Sequence, residues 1–493
     1  MMEPRGLPFS EGWPVGVAVY HPHLVEVPVT AVSPGLFKQV LSPSAFRDLV
    51  AALVGARSRL GQRVVWNVNS TSRGGGVAEM LQSLIAYARG AGIDIRWLVI
   101  QGNPEFFRVT KRIHNQIQGF PGDGGELGDR EHDAYEQSLL DSGRELKGMV
   151  RPGDIVLLHD PQTAGLAPEL KEAGARVVWR CHVGIDSPNE WALKAWEFLG
   201  PYLQDADVYV FSRSTFAWKA LDPAKIAIIP PSIDPFTPKN NVLTQARIAA
   251  ILIQAGLLNG YAAATPYYVR PTGTIGLVER RAEILEVATP RPYERLVVQV
   301  SRWDRLKDPL GVLNGFVNHV AREHGAHLVL AGPEVGAVAD DPEGAVVLDE
   351  VTQAWRALPE SERERVHLVC LPMQDAEENA VIVNALQRRA EVVVQKSLAE
   401  GFGLTVSEAM WKGRPVVASR IGGIQDQVEQ DKTGLLLNDP TDLQEFGAAV
   451  SHLLIDADRA NQMGAAAEEH VRENFLNDRH LKQYADLLGR LDR

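Results

Sequence analysis

The sequence has few cysteines and no long uninterrupted hydrophobic run. Only two of its 493 residues are cysteine, Cys181 and Cys370, which is too few for a disulfide framework. The most apolar window, residues 248–264, is interrupted by glutamine, glycine and asparagine, so we expect no membrane span. Residues 1–12 are polar and contain two prolines, unlike a tripartite secretion signal. These absences predict a soluble protein of the reducing cytoplasm.

Positive charge is also in short supply. The chain has 50 Lys and Arg against 62 Asp and Glu, which is a formal net charge of −12. A nucleic-acid binder needs a basic field to meet phosphates, so we expect neither a nucleic-acid nor a membrane partner. The composition, 45% hydrophobic and 23% charged, is that of an ordinary globular protein. At about 150 residues per domain, this length predicts two to four domains.

One unit recurs along the chain: an apolar strand, a polar or glycine-rich loop, an amphipathic helix and a second strand. It occurs between residues 63 and 211, where it predicts strands at 63–68, 93–100, 154–158, 176–180 and 208–211 and helices at 77–89 and 167–173. It begins again after residue 290 with a strand at 296–300, and residues 43–60 are compatible with a further helix. Strands alternating with helices at this spacing predict parallel sheets covered by helices. Right-handed crossovers then place the loops that follow the strands at the carboxyl edge of each sheet. We therefore predict an α/β fold with two Rossmann-like, doubly wound lobes facing a cleft.

The predicted boundaries follow from where this alternation is lost. Several prolines and the loss of alternation mark an inter-lobe segment, and helical spacing of apolar residues marks the C-terminal stretch. The prediction is an N-terminal extension packed on the first lobe (1–60), a first lobe (61–235), an inter-lobe segment (236–290), a second lobe (291–467) and C-terminal helices that could cross back to the first lobe (468–493).

A glycine-rich loop at residues 69–79 joins a buried strand to a helix. Its sequence is Asn-Ser-Thr-Ser-Arg-Gly-Gly-Gly-Val-Ala-Glu. Glycines such as Gly75 and Gly76 let the backbone turn tightly and approach a ligand, and the free amides at a helix start favour phosphate. No Gly-Lys-Ser/Thr follows, so this is not a Walker loop. A tight turn without a ligand is an equal alternative for this loop alone.

A charged loop at residues 301–309 follows another predicted strand and carries Arg302 and Lys307. A guanidinium fork together with a point charge suits a diphosphate, whose two negative groups lie a few ångströms apart. Neighbouring Asp304, Arg305 and Asp308 also allow a solvated charged turn, which is the commoner structure for such a loop.

A third loop, at residues 400–408, has two carboxylates around a Gly-Phe-Gly turn. Glu400 closes the loop, and Glu408 lies just over one turn into a helix that starts near Leu404. Both carboxylates can border one pocket, and vicinal sugar hydroxyls need such acceptors together with amide donors. The amides would come from Gly401, Phe402 and Gly403. The alternative is that Glu408 is a solvated or dipole-favoured helix residue.

Histidines and an aspartate end two strands of the first lobe. They lie in His159-Asp160-Pro161-Gln162 and in Arg180-Cys181-His182. A single histidine is usually structural, but two histidines and an aspartate at one sheet edge favour a functional site. No histidine or cysteine cluster has zinc-ligand spacing, so we assign no metal.

Taken together, these segments resemble glycosyltransferase family four, the retaining GT-B enzymes with a Glu-x7-Glu signature, and within it most closely the trehalose synthases. The resemblance runs from about residue 60 to the C-terminus, while residues 1–60 match poorly and 241–290 look longer than the family's usual link. The segments that carry it are NSTSRGGGVAEML (69–81), EFFRVTKRIHNQIQG (105–119), HDPQ (159–162), RCHVGIDSPNEW (180–191), PPSIDP (230–235), VSRWDRLKDP (300–309), EGFGLTVSEAMWKGRPVVAS (400–419) and GGIQDQVEQDKTGLL (422–436).

The resemblance implies roles for individual residues. The catalytic set would be His182, Asp160, Arg302, Lys307 and Glu400. Arg302 and Lys307 would hold the donor phosphates, and Glu408 the ribose hydroxyls. The donor glucose would contact Glu400, Gly401, Phe402, Gly403, Leu404 and Thr405, and the diphosphate would contact Gly75 and Gly76 from the opposite lobe. The base would lie against backbone near Leu371 and Met373. The acceptor would contact Asn69, Asp160 and His182.

The implied activity is reversible synthesis of trehalose from ADP- or UDP-glucose and free glucose, with retention through a front-side mechanism. The resemblance also implies a homodimer and no required cofactor; Mg²⁺ is allowed, but no site is assigned. A retaining trehalose phosphorylase, which uses phosphate instead of a nucleotide, shares these motifs and stays open. A non-catalytic nucleotide-sugar sensor should have lost a phosphate-binding cation or a glutamate, yet Arg302, Lys307, Glu400 and Glu408 are all present.

Overall fold

The computed structural model describes residues 23–72, 75–270, 273–335 and 343–491. The chain forms two compact units. The first runs to Ser232 and resumes at Asn477, and the second is Ile233–Leu476. Within the described ranges, no helix is both long and apolar enough to cross a membrane.

The first unit is built on a seven-stranded sheet. The strand order is β1-β3-β2-β4-β5-β6-β7, and only β1 is antiparallel to its neighbour. Strands buried on both faces read as continuous apolar runs, which is why the sequence predicted the five inner strands β2 to β6 but not the three-residue edge strands β1 and β7. The strands are β1 (Leu24–Glu26), β2 (Val65–Asn69), β3 (Ile95–Ile100), β4 (Ile155–His159), β5 (Arg176–Cys181), β6 (Val208–Phe211) and β7 (Ile226–Ile228).

Helices cover this sheet, and the core between them is rich in aromatic side chains. Trp179 and Tyr135 are among its largest fully buried members. The predicted helices at 77–89 and 167–173 correspond to α2 and α5, and the one at 43–60 coincides with α1, whereas α3, α4 and α6 were not predicted. The helices are α1 (Pro43–Leu60), α2 (Gly76–Gly90), α3 (Pro104–Ile117), α4 (Asp129–Met149), α5 (Ala167–Glu172) and α6 (Glu190–Leu203).

The second unit has its own seven-stranded sheet, in the order β10-β13-β12-β11-β14-β15-β16, with only β10 antiparallel. A separate two-stranded hairpin is formed by β8 and β9. The strands are β8 (Tyr267–Val269), β9 (Ile275–Leu277), β10 (Glu283–Leu285), β11 (Leu296–Val300), β12 (His327–Pro333), β13 (Val366–Leu371), β14 (Val392–Gln395), β15 (Val416–Ser419) and β16 (Leu435–Leu437).

Side-chain caps define where several helices of the second unit begin. Asp308 caps one helix by accepting a hydrogen bond from Gly311 N, and Asp375 caps another through Glu377 N and Glu378 N. The helices are α7 (Gln245–Gln254), α8 (Pro309–His319), α9 (Ala321–His324), α10 (Glu343–Ala357), α11 (Glu360–Arg363), α12 (Ala376–Arg389), α13 (Leu404–Trp411), α14 (Ile424–Gln427), α15 (Leu443–Ile455) and α16 (Ala457–Asn474). The last helix of the chain, α17 (Asn477–Arg490), belongs to the first unit.

The structure differs from the predicted boundaries around the inter-lobe segment, 236–290. These residues belong to the second unit, because α7 packs on α12 and β10 pairs with β13. The three-residue strands and the single short helix are too brief to show a period in the sequence.

The C-terminal boundary also differs, since it lies at 476/477 and not at 467/468. Helix α16 stays in the second unit, whereas α17 belongs to the first and packs on α1. Ser232 anchors α17, with its Oγ 2.6 Å from Asn477 Oδ1 and 2.8 Å from His480 Nδ1.

Candidate functional site

Asp160 and His182 lie side by side at the carboxyl edge of the first sheet. They follow β4 and β5, which are adjacent and parallel. The backbone N–H of His182 donates to Asp160 Oδ1 at 2.7 Å. Asp160 has a φ of 63°, in the left-handed region, so its backbone turns sharply out of β4. The structure therefore brings together two residues that were predicted to lie at one sheet edge because each follows a strand.

The His182 imidazole is held by other side chains of the first unit. Its Nε2 lies 3.1 Å from Nδ1 of His159, and the two rings stack. Arg180, which is fully buried, places its Nε 3.2 Å from the same nitrogen and donates from Nη2 to the Ile229 carbonyl. No role was predicted for Arg180, although residues two apart on a strand share a face and alternation could have placed it beside His182.

Burial and the Arg180 charge keep these histidines neutral. Desolvation first, and Arg180 second, lower the pKa of His159 to about 3 and that of His182 well below its ordinary value. Desolvation raises the pKa of Asp160 to about 7, opposed by the His182 amide and by Arg180. Asp160 thus changes its charge near neutral pH.

Asn69 and the glycine loop occupy the end of β2. Both halves of the Asn69 amide are engaged within the protein: Nδ2 donates to the Thr71 carbonyl at 2.6 Å, and Oδ1 accepts from Trp97 Nε1 at 2.8 Å. These two hydrogen bonds hold the conformation of the loop that follows β2. Gly75 has a φ of 87° and precedes the first turn of α2, which starts at Gly76. Residues 73 and 74 of this motif lie outside the described residues.

In the second unit, the loops after β11 and β14 meet at one sheet edge. Lys307 Nζ lies 2.5 Å from Glu400 Oε2, and both side chains are largely buried. Arg302 is half exposed and pairs with Asp304 at 3.3 Å. A buried ammonium, an exposed guanidinium and a carboxylate therefore share the region where the sequence predicted a diphosphate and a sugar.

A second ion pair, which the sequence analysis missed, joins the same two loops. The ammonium of Lys396 is fully buried and bonds to Asp308 Oδ2. Between the two ion pairs, Leu398 N donates to the Leu306 carbonyl at 2.7 Å. These contacts tie the 301–308 and 396–400 loops together and hold Lys307 beside Glu400.

The Gly-Phe-Gly turn is closely covered by the loop at residues 421–427. A Cβ on Gly422 would lie 1.9 Å from the Glu400 carbonyl oxygen, and Gly423 N donates to the Gly401 carbonyl. Gly403 has a φ of 83° and caps α13 without a side chain. Phe402 is buried against Phe475. The turn thus keeps its backbone in a single conformation at the start of the helix.

Glu408 is buried on α13, so the solvated-helix alternative is wrong. Its Oε1 lies 3.0 Å from Lys239 Nζ. Burial lowers the pKa of nearby Lys412, with the Glu408 carboxylate opposing that shift. Lys239 belongs to the segment that was predicted to link the lobes, and no motif in the sequence marks it as a site residue.

The remaining predicted donor contacts are largely engaged within the second unit. Thr405 Oγ1 donates to Gln395 Oε1 at 3.0 Å, and Leu404 begins α13. At the end of β13, the Leu371 carbonyl accepts from Glu334 N, and Met373 Sδ lies 3.3 Å from Asn379 Nδ2. The described residues contain no group of three or more histidine, cysteine or carboxylate side chains placed to hold a metal ion.

Two family descriptions match this chain. "Trehalose synthase, N-terminal domain" matches residues 67–218, and "Glycosyl transferases group 1" matches residues 281–470. The chain is 36% identical over 459 residues to a trehalose synthase of Rubrobacter xylanophilus, covering 90% of this chain and 95% of that protein. It is 27% identical to a trehalose phosphorylase of Grifola frondosa, covering 82% of this chain but 54% of the phosphorylase.

Solved structures support the fold. An alpha,alpha-trehalose-phosphate synthase (UDP-forming) from Burkholderia vietnamiensis superposes with a TM-score of 0.62 at 14% identity, covering 87% of this chain and 96% of that one. This likeness confirms the GT-B class with two Rossmann-like sheets. From the sequence identity and its coverage, the chain belongs to the trehalose synthase family of the group 1 glycosyl transferases and is a glycosyltransferase.

Proposed function

We propose that this protein transfers glucose from a nucleoside-diphosphate glucose, ADP- or UDP-glucose, to free glucose and so forms trehalose reversibly with retention. The observation that carries the proposal is the clamped pair of loops in the second unit, where Lys307, Glu400 and Arg302 share one sheet edge. The cations suit the diphosphate of this donor, and the carboxylate beside them can accept hydrogen bonds from the sugar hydroxyls. The choice of glucose as the acceptor is inferred from the similarity to trehalose synthases.

Individual residues take the following roles in the proposal. Arg302 and Lys307 bind the diphosphate, while Glu400 and the amides of 401–404 bind the donor glucose. In the first unit, Asp160 and His182 contact sugar hydroxyls, with His182 neutral and oriented by Arg180. Asn69 shapes its loop through its bonds to Thr71 and Trp97, and its second amide N–H can still donate to the acceptor glucose.

The proposed reaction is a front-side displacement. The bond between C1 of the donor glucose and the phosphate oxygen breaks as the acceptor hydroxyl oxygen bonds to C1 on the same face. The acceptor proton passes to the leaving phosphate oxygen, so that the products are trehalose and the nucleoside diphosphate. Arg302 and Lys307 stabilise the negative charge that grows on the leaving group, which is the electrostatic contribution that most lowers such barriers.

The decisive experiment is product analysis with ADP-glucose or UDP-glucose and free glucose. We expect α,α-trehalose, identified by its anomeric NMR signals. With a donor glucose labelled with ¹³C at C1, a β linkage at the labelled carbon would contradict retention. Arg302→Ala should abolish most activity. Arg305→Ala is the matched control on the same loop and should keep it, because Arg305 instead forms a bidentate pair with Glu350 on α10.

The reverse reaction separates the alternatives. Trehalose cleavage supported by inorganic phosphate alone, with ADP and UDP both inert, would establish a phosphorylase. Binding of nucleotide sugar without any disaccharide product would favour the sensor. The lower identity to the phosphorylase and its partial coverage support the synthase.

We further propose that the enzyme is a cytoplasmic homodimer that needs no cofactor. Both cysteines are unpaired, which is compatible with a reducing compartment. Activity should persist after treatment with EDTA, and a loss that Mg²⁺ restores would contradict cofactor independence. Light scattering should give twice the monomer mass of 54.1 kDa.

A further inference from the structure

Lys239 and Glu408 form an ion pair at the second unit's donor region. The Lys239 ammonium lies 3.0 Å from Glu408 Oε1, and the side chains are 21% and 3% exposed. Burying a carboxylate this deeply destabilises the folded protein unless its oxygens have partners, so Glu408 depends on Lys239 as its counter-ion.

The backbone on either side of Lys239 is held in place by side chains of α12 and α13. Asn384 Nδ2 donates to the Pro238 carbonyl at 2.9 Å, and Trp411 Nε1 donates to the Asn240 carbonyl at 3.0 Å. Lys412 Nζ also donates to Asn240 Oδ1. The ammonium of Lys239 is thus positioned by a rigid segment and does not reach Glu408 from a loose loop.

The second oxygen of Glu408 lacks a partner. Among the described residues, none forms a hydrogen bond with Glu408 Oε2, although this atom is buried. Lys412 does not supply the bond, because its three donors go to Asn240 Oδ1, Gln387 Oε1 and the Glu408 carbonyl. A buried acceptor without a donor is destabilising, so Glu408 Oε2 is available to a hydroxyl or amide donor of a ligand.

We propose that Lys239 is a specificity-determining residue, which together with Glu408 reads the vicinal diol of the donor's ribose. One ribose hydroxyl donates to Glu408 Oε2, and the adjacent hydroxyl oxygen accepts from the Lys239 ammonium. A carboxylate and an ammonium side by side complement a diol, in which each hydroxyl can donate and accept. The inference rests on the proposed nucleotide-sugar donor and assigns Lys239 the task of rejecting deoxyribose.

The test is calorimetric binding of ADP, 2′-deoxy-ADP and 3′-deoxy-ADP, with the UDP series in parallel. Wild type should bind the ribonucleotide about tenfold more tightly than either deoxy form, as expected when a hydrogen bond to a charged group is lost. In Lys239→Met, discrimination against one of the two deoxy forms should fall below about twofold while the other is retained. Lys432→Met is the control, because Lys432 is exposed and pairs with Glu429 on the surface.

Three outcomes would overturn the inference. Unchanged discrimination against both deoxy forms in Lys239→Met would do so, as would equal weakening of all three nucleotides, since a general charge effect does not read hydroxyls. If wild type bound neither ADP nor UDP, the proposed donor itself would fail, which distinguishes the two claims. Lys239→Leu, which likewise removes the ammonium donor, serves if the methionine variant does not fold.

Discussion

Replacement of Asp308 by asparagine should reveal how much the buried ion pair with Lys396 stabilises the second unit. Asp308 has a φ of 50° and caps α8 through Gly311 N at 3.0 Å. Asparagine tolerates the left-handed region and caps helices as well as aspartate, so Asp308→Asn removes little besides the charge. The Lys396 side chain is 0% exposed and would keep a buried charge without its counter-ion.

The expected cost is about 3 kcal/mol, the lower end for breaking a buried pair, because Asp308 retains 18% exposure. For a unit of this size each kcal/mol lowers the melting temperature by about 2–4 °C, so Tm should fall by roughly 6–12 °C. Lys396→Met should cost less, since the partly exposed Asp308 can be hydrated. The double variant should be more stable than the sum of the single effects predicts, by about 2 kcal/mol.

The assay is thermal and urea unfolding of the four proteins, with diphosphate binding measured alongside. Asp442→Asn is the matched control, because Asp442 caps α15 at the surface and should lose less than about 0.5 kcal/mol. Diphosphate affinity should fall in Asp308→Asn, since the two loops that hold Lys307 beside Glu400 lose a tie. A destabilisation below about 0.5 kcal/mol, or strict additivity in the double variant, would refute the reasoning.

Three further predictions concern single residues. Arg302→Ala should lower kcat about a hundredfold and weaken diphosphate binding, and Arg302→Lys should restore part of both. His182→Ala should lower kcat but leave the diphosphate affinity nearly unchanged. Unchanged affinity in Arg302→Ala, or a loss of affinity in His182→Ala, measured by calorimetry, would contradict these roles. Because the pKa of Asp160 is raised to about 7, the contribution of this residue to stability declines as pH rises from about 4 to 7. The difference in Tm between wild type and Asp160→Asn should therefore shrink across that range. A difference that stays constant would contradict this prediction. Burial lowers the pKa of His327 to about 4, so the contribution of the neutral imidazole to stability is lost as pH falls from about 6.5 to 4. His327→Gln should lack this pH dependence of Tm. Parallel curves of Tm against pH for the two proteins would contradict this prediction.

Local patterns in the sequence predicted several elements at or near their observed bounds. Helix α1, strand β6, strand β11 and helix α13 all match, because each has a continuous apolar run or a clear cap and stop signal. The edge strands β1 and β10 were missed, since each is three residues long and antiparallel, unlike the strands around it.

The candidate site was predictable where residues are neighbours in the chain or follow adjacent parallel strands. Arg302, Lys307 and Glu400 belong to loops whose position at the carboxyl edge follows from right-handed crossovers, and Glu408 lies on the helix that follows the last of these loops. The sequence did not indicate that Lys307 pairs with Glu400, because 93 residues separate them. Only the structure shows this ion pair.

What the sequence determined by itself is therefore the α/β class, the repeated strand–loop–helix order and the loops that carry chemistry, all of which depend on local periodicity. Tertiary structure alone decided which charges are buried together. Lys239 comes to Glu408 from a segment with no motif, Lys396 comes to Asp308 across the sheet edge, and α17 returns to the first unit. Such contacts depend on how distant segments pack, and burial of a charge is stable only where that packing supplies its partner.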